Sequence, residues 1–353
     1  MTGVLVKRVR EGIYQIVSPF PEYHRREAYA QRLELEAHPR VTRGLPYVLP
    51  YFVCSRGDAV LVDCGWNTQD AYAALEEQLA EVGCGIGDIQ TLVLTHAHPD
   101  HCGLAGRLKA EAGCSVWLHE LEIPFLRTRY QEPEVVLDAL ESWFARHGVP
   151  PGDRTDLERG SMALRFLVAE LHPDRPLRGG ETLQVGDFFF EVIWTPGHSP
   201  GHICLYEPNH QLLLSGDHVL PTITPNVSLH PQQRQNPLSD FLESLNRVAG
   251  LEIRRMLPAH EWDIEDFQGR IRALRDHHRA RLEDMLAAVG HHASVTALEV
   301  AQRVQWTTGS YESFPPWMKR AAIGEALSHL VYLAGQGRLV QREEDGLVRF
   351  QRA

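Results

Sequence analysis

The feature that most constrains the fold is a short apolar run that leads directly into a group of histidine and aspartate residues. Residues 91–95 read Thr-Leu-Val-Leu-Thr, the continuous pattern of a strand that is buried on both faces of a sheet. Residues 96–101 follow as His-Ala-His-Pro-Asp-His, so four side chains that can bind a metal ion lie within six residues. This arrangement predicts a functional site in the loop at the end of a buried strand.

Strands and helices alternate along most of the chain on either side of this run. Short β-prone runs predict strands at 12–17, 51–54, 59–63, 115–118, 188–194, 203–206 and 212–215. Apolar residues at helical spacing predict helices at 71–82, 103–112 and 134–147. The alternation is typical of an α/β fold.

The histidine-rich segment has the residue types and the spacing of a metal site. In a loop just past a strand, alternate side chains can point the same way, so His96 and His98 can reach one ion while Asp100 and His101 turn toward a neighbouring one. Three imidazoles and a carboxylate suit zinc, and iron or manganese would also fit.

Three more candidate ligands each follow an apolar strand or run. They are His198 in a Thr-Pro-Gly-His segment, Asp217 in Ser-Gly-Asp, and His260 in Pro-Ala-His. Since loops at one edge of a sheet converge, we expect all three to meet the 96–101 segment at a single site.

The four motifs, taken in their order along the chain, closely resemble those of the metallo-β-lactamase superfamily of hydrolases. The resemblance extends over about residues 13–266 and implies an αββα sandwich with a two-metal site in the groove at its edge. The implied ligands of one metal are His96, His98 and His198, and those of the other are Asp100, His101 and His260, with Asp217 bridging both.

The resemblance also implies supporting and catalytic roles. Asp63 matches a position that supports the site without binding metal, and His202 and His218, next to proposed ligands, are open between a similar role and none. The implied nucleophile is a water molecule between the two ions, because paired cations lower its pKa. Asp100 and Asp217 are the expected catalytic carboxylates, and Asp100 could orient the nucleophile or carry its proton.

Residues 195–202, Thr-Pro-Gly-His-Ser-Pro-Gly-His, look most like the glyoxalase II group, which hydrolyses the thioester of hydroxyacylglutathione. We therefore expect a small acyl thioester or ester as substrate. Lactonases and metal-dependent endoribonucleases of the same superfamily carry nearly the same residues and are the alternatives. A mononuclear iron dioxygenase of this fold is the alternative from another class, although it would need only two histidines and an aspartate.

The length of 353 residues suggests two units, because domains average about 150 residues. We predict a catalytic domain at 1–266 and a smaller C-terminal domain at 267–353. In the latter, helices at 271–289, 296–304 and 319–334, the second capped by Ser294, precede a hairpin that turns at Asp345 and Gly346. Three helices and a hairpin describe a winged-helix-like domain, and a plain helical subdomain is the alternative.

The segment at about 123–178 is longer than an ordinary connection and is predicted to be a helical insertion. Its large apolar residues, Trp143, Phe144, Phe166 and Leu167, are expected to cover the groove. The alternative is a solvent-facing helical insertion that packs on the sheet.

The charge distribution disfavours nucleic acid as a partner and leaves it as an alternative. The chain has a net charge of −11, and residues 267–353 hold 12 basic and 9 acidic side chains, which leaves 23 basic and 37 acidic, or −14, before them. We expect the C-terminal domain to serve packing, homodimer formation or one wall of the active site.

The remaining composition points to the cytoplasm and away from a membrane. No run approaches the roughly 18 apolar residues of a membrane span, and the first residues contain no apolar signal core. The six cysteines lie singly, as expected of reduced thiols.

Overall fold

The computed structural model describes residues 6–24, 27–28, 46–291 and 294–353. Its strands are β1 (Lys7–Arg10), β2 (Ile13–Gln15), β3 (Ser18–Pro19), β4 (Tyr47–Val48), β5 (Tyr51–Ser55), β6 (Asp58–Val62), β7 (Thr91–Val93), β8 (Ser115–His119), β9 (Arg175–Leu177), β10 (Thr182–Val185), β11 (Phe188–Trp194), β12 (Ile203–Glu207), β13 (Leu212–Gly216), β14 (Arg255–Pro258), β15 (Leu339–Glu344) and β16 (Leu347–Arg352). One sheet has the order β1-β2-β5-β6-β7-β8-β9 and the other β10-β11-β12-β13-β14. Strands β3 and β4 form a separate pair, as do β15 and β16.

Helices connect and cover these sheets. They are α1 (Gln69–Glu81), α2 (Pro99–Cys102), α3 (Ala105–Ala112), α4 (Glu122–Leu126), α5 (Pro133–Arg146), α6 (Pro151–Met162), α7 (Pro237–Ala249), α8 (Phe267–Val289), α9 (Ala297–Arg303) and α10 (Pro316–Gly335). A π-helical turn, Arg127–Gln131, directly extends α4. Within the described ranges, no helix combines the length and the apolar character needed to cross a membrane.

The two-residue period of the strands sorts their side chains into layers. In β12, Ile203 and Leu205 pack between the two sheets, whereas Cys204 and Tyr206 face the helices on the other side. Helix α1 covers the outer face of the first sheet through residues such as Leu75, and α7 covers the second through residues such as Phe241. The predicted αββα sandwich is therefore confirmed.

Strand β7 is shorter than the apolar run 91–95 that predicts it, because the end of that run belongs to the loop with the candidate metal ligands. The strand ends at Val93, and the backbone N–H of Thr95 donates to the Asp63 carboxylate over 2.8 Å instead of joining the sheet. The first residues of the metal-binding loop are thus held by a side chain, which the apolar pattern alone could not reveal.

The C-terminal helices lie close to their predicted positions, with two differences at their starts. Helix α8 begins earlier, because Asp266 caps it by accepting a hydrogen bond from the N–H of Gly269. The predicted cap of α9 at Ser294 is wrong, since Thr296 and Glu299 form a capping box there. At the hairpin turn, Asp345 and Gly346 both have positive φ, as a two-residue turn requires.

The C-terminal region shares its core with the second sheet. Leu327 and Leu330 of α10 are buried in the same cluster as Phe241 of α7 and Leu213 of β13. Three helices and the β15–β16 hairpin are present here, while the division at residue 267 and the winged-helix designation stay predictions. The shared cluster means that the two regions stabilise each other.

The insertion packs differently from our expectation. Trp143 and Phe144 of α5 are buried in the core that joins α5 to the C-terminal helices, and Phe166 is 75% exposed. Leu167 is half-buried, and its carbonyl accepts from the N–H of Asn67. Trp143 and Phe144 therefore do not cover the groove, because the hydrophobic face of α5 is taken up by the core beneath it, and the placement of Phe166 and Leu167 over the groove stays a prediction.

A substitution that creates a cavity in the shared core tests whether the two regions unfold together. Leu330→Ala should lower the free energy of unfolding by about 2–5 kcal/mol, because the site is closely packed. The catalytic region should unfold in the same transition, as measured by far-UV dichroism and tryptophan fluorescence in guanidinium chloride. The matched control, Val135→Ala at a position 58% exposed, should stay within about 0.5 kcal/mol. Separate transitions for the two regions would contradict the shared core.

Candidate metal centre

The predicted metal ligands come from four loops at one edge of the sandwich. The loop after β7 passes into the short helix α2, which starts at Pro99 with His98 as its N-cap. The loops after β11, β13 and β14 carry His198, Asp217 and His260 to the same edge. The fold thus gathers side chains that lie far apart in the sequence.

Three imidazoles form the first group of donors. His96 Nε2 lies 2.9 Å from His98 Nδ1, which in turn lies 3.0 Å from His198 Nε2. Burial, and then the neighbouring His101 and His98, hold the pKa of His96 well below its ordinary value. Neutral imidazoles with their nitrogens converging on one point are the form in which histidine binds a metal ion.

Asp100, His101 and His260 form the second group. Asp100 Oδ2 lies 3.4 Å from His260 Nε2 and 3.6 Å from His101 Nε2. Burial lowers the pKa of His260, but the Asp217 and Asp100 carboxylates outweigh it and raise that pKa to about 10. Burial also lowers the pKa of His101, but the carboxylates of Asp100, Asp217 and Asp63 outweigh this effect and raise that pKa well above its ordinary value.

Asp217 lies between the two groups and presents one oxygen to each. Its Oδ1 is 3.3 Å from His260 Nε2 and 3.5 Å from His101 Nε2, while its Oδ2 is 3.6 Å from His198 Nε2. Burial favours the neutral acid, yet His260 and His101 hold the pKa of Asp217 well below its ordinary value. The carboxylate is therefore ionised and oriented as a bridging ligand would be.

The donor set fits a pair of divalent cations. In the described part of the chain, His101 Nε2 and Asp217 Oδ1 are buried without a hydrogen-bonding partner, which is costly unless something else binds them. The potential ligand atoms form three overlapping groups, each within 4.8 Å, that together contain all seven predicted ligands. Nitrogen and carboxylate donors in this ratio are those that zinc prefers. The individual ligand roles stay predictions.

Asp63 supports this centre from behind. Its carboxylate accepts hydrogen bonds from the N–H and hydroxyl of Thr95 and from His101 Nδ1, each over 2.8 Å. The bond to Nδ1 leaves His101 Nε2 facing the centre. Asp63 adopts φ of 57°, a conformation that aspartate tolerates better than most residues.

The structure separates the two histidines that the sequence left open. His202 Nε2 accepts from the backbone N–H of Asp217 over 3.0 Å, and its Nδ1 lies 2.8 Å from the Thr195 hydroxyl, so the ring fixes the turn that carries Asp217. The ring of His218 instead packs edge-on against Phe241 at 5.1 Å. Burial lowers the pKa of His218 to about 3, which suits a neutral core residue.

Two buried glutamates that sequence reasoning missed hold the loops together. Glu122 accepts from the backbone N–H of Ala97 over 2.9 Å and from that of Gly201 over 2.7 Å, which ties the first ligand loop to the His198 loop. Glu261 accepts from the N–H of Thr222 over 2.8 Å. The position of Glu261 directly after the candidate ligand His260 could have indicated a role at the site. The hydrogen-bonding partners of both glutamates are backbone groups, however, and these cannot be identified from the sequence.

The ligand histidines are further oriented by backbone carbonyls. His198 Nδ1 donates to the carbonyl of Asn226 over 2.9 Å, and His260 Nδ1 donates to that of Tyr47 over 3.2 Å. These bonds select the tautomers that turn Nε2 toward the centre. The segment 219–229 after Asp217 thus acts as part of the site wall.

An αββα sandwich with a double His and Asp donor set at one edge defines a metallo-hydrolase. Residues 43–260 match the family model of the metallo-beta-lactamase superfamily, and the chain belongs to that superfamily. The match confirms the family that the motifs indicate.

Relatives that cover nearly the whole chain agree with this assignment. A probable metallo-hydrolase, YqjP of Bacillus subtilis (strain 168), is 29% identical over 318 residues, which cover 86% of this chain and 93% of that protein. The crystal structure of a metallo-beta-lactamase family protein from Thermus thermophilus is 33% identical with a TM-score of 0.78, over 98% of this chain and 100% of that one. A beta-lactamase domain protein from Burkholderia ambifaria is 27% identical with a TM-score of 0.74, over 99% and 95%.

Removal of the Asp63 carboxylate tests its supporting role. Asp63→Asn should weaken metal binding about 10–100-fold, because His101 loses the acceptor that orients it. Competition with a chromogenic chelator measures the affinity. The control Asp187→Asn, which alters an exposed ion pair with Arg56, should leave the affinity unchanged. Equal affinities for both variants would show that Asp63 does not position the ligand.

Metal binding should release protons. In the metal-free protein, the raised pKa values of His101 and His260 keep both rings protonated at neutral pH, and each must lose its proton to bind metal. We expect at least two protons released per chain, one from each ring and a further one if a metal-bound water ionises, and an affinity that rises with pH. Calorimetry at about pH 7 in buffers of different ionisation enthalpy counts these protons, and a count below two would refute the charge assignment.

Proposed function

We propose that this metallo-hydrolase is a dinuclear, zinc-dependent enzyme that cleaves a thioester or ester of a small acyl substrate, as the glyoxalase II group does. The observation that carries the proposal is the Asp217 carboxylate, with Oδ1 facing the second group of donors and Oδ2 facing the first. A mononuclear iron dioxygenase would need only two histidines and an aspartate. The presence of a second set of donors, Asp100, His101 and His260, therefore counts against that alternative.

Two bound zinc ions would supply a water nucleophile with a lowered pKa and would polarise the acyl oxygen. The protein contributes the positions of the reacting groups. Asp217 lies between the two donor groups. Asp63 holds the His101 ring in place, and His202 holds the backbone of Asp217. This rigidity limits reorganisation during the reaction.

Asp100 is placed to move a proton. Its side chain keeps 17% of its surface exposed, against 11% for Asp217 and 3% for His260, so it faces the open side of the centre. The oxygen of Asp100 that does not serve as a donor in the second group could accept a proton from a water nucleophile and return it to the leaving group. A thiolate leaving group needs little such help, whereas an alkoxide needs more, so Asp100 matters most for esters.

The surroundings of the first donor group suit a small organic substrate. The ring of Phe125 lies 6.0 Å from that of His98, and the Tyr130 hydroxyl donates to the carbonyl of Ala97 over 3.1 Å. Both aromatic residues come from the start of the insertion and pack beside the first donor group. The net charge of −14 over residues 1–266 disfavours an extended polyanion such as RNA.

A substrate panel with metal-reconstituted protein tests this proposal. We expect hydrolysis of S-lactoylglutathione or simpler acyl thioesters, and weaker or no turnover of a lactone, a β-lactam and a short RNA. His98→Ala and Asp217→Ala should each lower kcat/KM about 10³-fold or more, since each removes a charge-stabilising contact worth several kcal/mol. The exposed His172→Ala is the matched control and should retain full activity.

The panel also identifies the competing functions. Cleavage of RNA alone would make the protein an endoribonuclease, and turnover of the lactone alone a lactonase. Metal analysis that finds one iron per chain, with oxygen consumption and no hydrolysis, would establish the dioxygenase. Any of these results would overturn the thioesterase proposal.

A further inference from the structure

The wall segment, residues 219–229, carries the carbonyl that orients one of the candidate metal ligands. The Asn226 carbonyl accepts from His198 Nδ1 over 2.9 Å, and the His198 side chain keeps only 8% of its surface exposed. A histidine that binds metal through Nε2 is held in the correct tautomer and orientation by the group that accepts from its Nδ1. The position of His198 therefore depends on how firmly the chain holds Asn226.

Asn226 is exposed and lies outside the helices and strands, so its side chain is what anchors it. Its Nδ2 donates to Glu325 Oε2 over 3.3 Å, and its Oδ1 accepts from the Ser228 hydroxyl. Glu325 lies on α10, 99 residues further along the chain. Burial raises the pKa of Glu325 to about 7, but a carboxyl oxygen can accept from the amide in either protonation state. The residue that orients His198 is thus tied to the C-terminal region.

Helix α10 also meets the wall segment through its backbone. The N–H of Leu229 donates to the carbonyl of Gly324 over 2.9 Å, and the Ser228 hydroxyl lies 3.2 Å from the carbonyl oxygen of Ala321. A Cβ atom on Gly324 would lie 3.0 Å from Ser228 Cβ, so a larger residue there would push the helix and the segment apart. These contacts fix the distance over which Glu325 reaches Asn226.

A second C-terminal helix holds the start of the wall segment. Arg270 of α8 donates from Nε to the carbonyl of Leu220 over 2.5 Å and from a terminal nitrogen to that of Ile223 over 2.8 Å. Because the guanidinium group is planar and rigid, two such bonds restrict both carbonyls together. The wall segment is therefore held near its two ends, by α8 at one and by α10 at the other.

The two histidines of the second donor group are oriented from elsewhere in the chain. His101 Nδ1 donates to the Asp63 carboxylate over 2.8 Å, and His260 Nδ1 donates to the carbonyl of Tyr47 over 3.2 Å. Both acceptors belong to the first sheet and its neighbouring loops, and not to the C-terminal helices. A change at α10 should therefore reach the metal centre through His198 and the first donor group.

We propose that Glu325 is a positioning residue for the metal centre, and that it acts through Asn226 to hold His198 in its metal-binding orientation. This inference rests on the metal-binding part of the proposed function and is independent of the substrate. It gives the C-terminal region a role in metal binding in addition to its share of the core. Loss of the Glu325 contact frees the Asn226 amide, loosens the carbonyl that orients His198 and weakens one of the two ions.

Zinc titration of the full-length, metal-free protein against a chromogenic chelator measures the affinities of both ions. Glu325→Ala should weaken one ion about 3–10-fold, because one hydrogen bond is lost at one remove from the ligand. Asn226→Ala should weaken the same ion to a similar extent, although it leaves the carbonyl itself in place. Glu325→Gln should keep most of the affinity, since its amide oxygen can still accept from Asn226 Nδ2. The matched control Glu344→Ala, at an exposed position of β15, should match the wild type.

A double-mutant cycle with His198 separates positioning from general structural damage. If Glu325 acts through His198, then Glu325→Ala should cause no further change in the affinity of either ion once His198→Ala is present. General damage to the fold would weaken the remaining ion in that background as well. Thermal unfolding with and without zinc gives a second readout, because the zinc-dependent rise in Tm reports binding apart from the stability of the metal-free chain. If Glu325→Ala fails to fold, Asn226→Ala completes the same cycle.

The outcomes distinguish this inference from the proposed function. Weakening of one ion by Glu325→Ala and Asn226→Ala that disappears in the His198→Ala background would support the inference, whatever substrate the enzyme cleaves. Wild-type affinities in both variants, with an ion weakened by His198→Ala, would overturn the positioning role and leave the proposed function standing. Weakening by Glu325→Ala that persists in the His198→Ala background would also overturn the positioning role. Unchanged zinc affinities in His198→Ala itself would overturn the proposed dinuclear site and this inference together.

Discussion

The structure depends on the convergence of seven buried or half-buried polar side chains at one edge of the sandwich. Burying a carboxylate or several imidazoles is unfavourable unless opposite charges or metal ions bind them. Asp217 relieves part of this cost in the metal-free chain through His260 and His101, whose pKa values it raises. Among the described residues, His101 Nε2 and Asp217 Oδ1 still lack a hydrogen-bonding partner, which leaves them available to a ligand.

The rest of the fold holds these side chains in position. Both sheets are covered on their outer faces by helices, so the strand ends and their loops are the places where polar groups can gather. Asp63, Glu122 and Glu261 then use their carboxylates to fix the ligand loops through backbone N–H groups. The hydrophobic core positions the loops, and these buried acids set the geometry within them.

Much of the fold and the candidate site could be predicted from the sequence. The alternating apolar runs predicted an α/β fold, and the resemblance of the motifs to the superfamily implied the αββα sandwich. Candidate ligands followed directly after strand runs, as at His96 and Asp217. The supporting bonds could not be predicted, because the partner of Glu122 is a backbone N–H of Gly201, 79 residues away. The packing of Trp143 was also hidden, since an amphipathic helix shows that a face is buried and not what buries it.

Crystals of the zinc-loaded protein, measured at the zinc absorption edge, test the central claim most directly. The account predicts two anomalous peaks per chain, each about 2.0–2.2 Å from its donor atoms. One peak should adjoin His96, His98 and His198, the other Asp100, His101 and His260, with Asp217 touching both. A single peak, or a pair of peaks away from these side chains, would contradict the account.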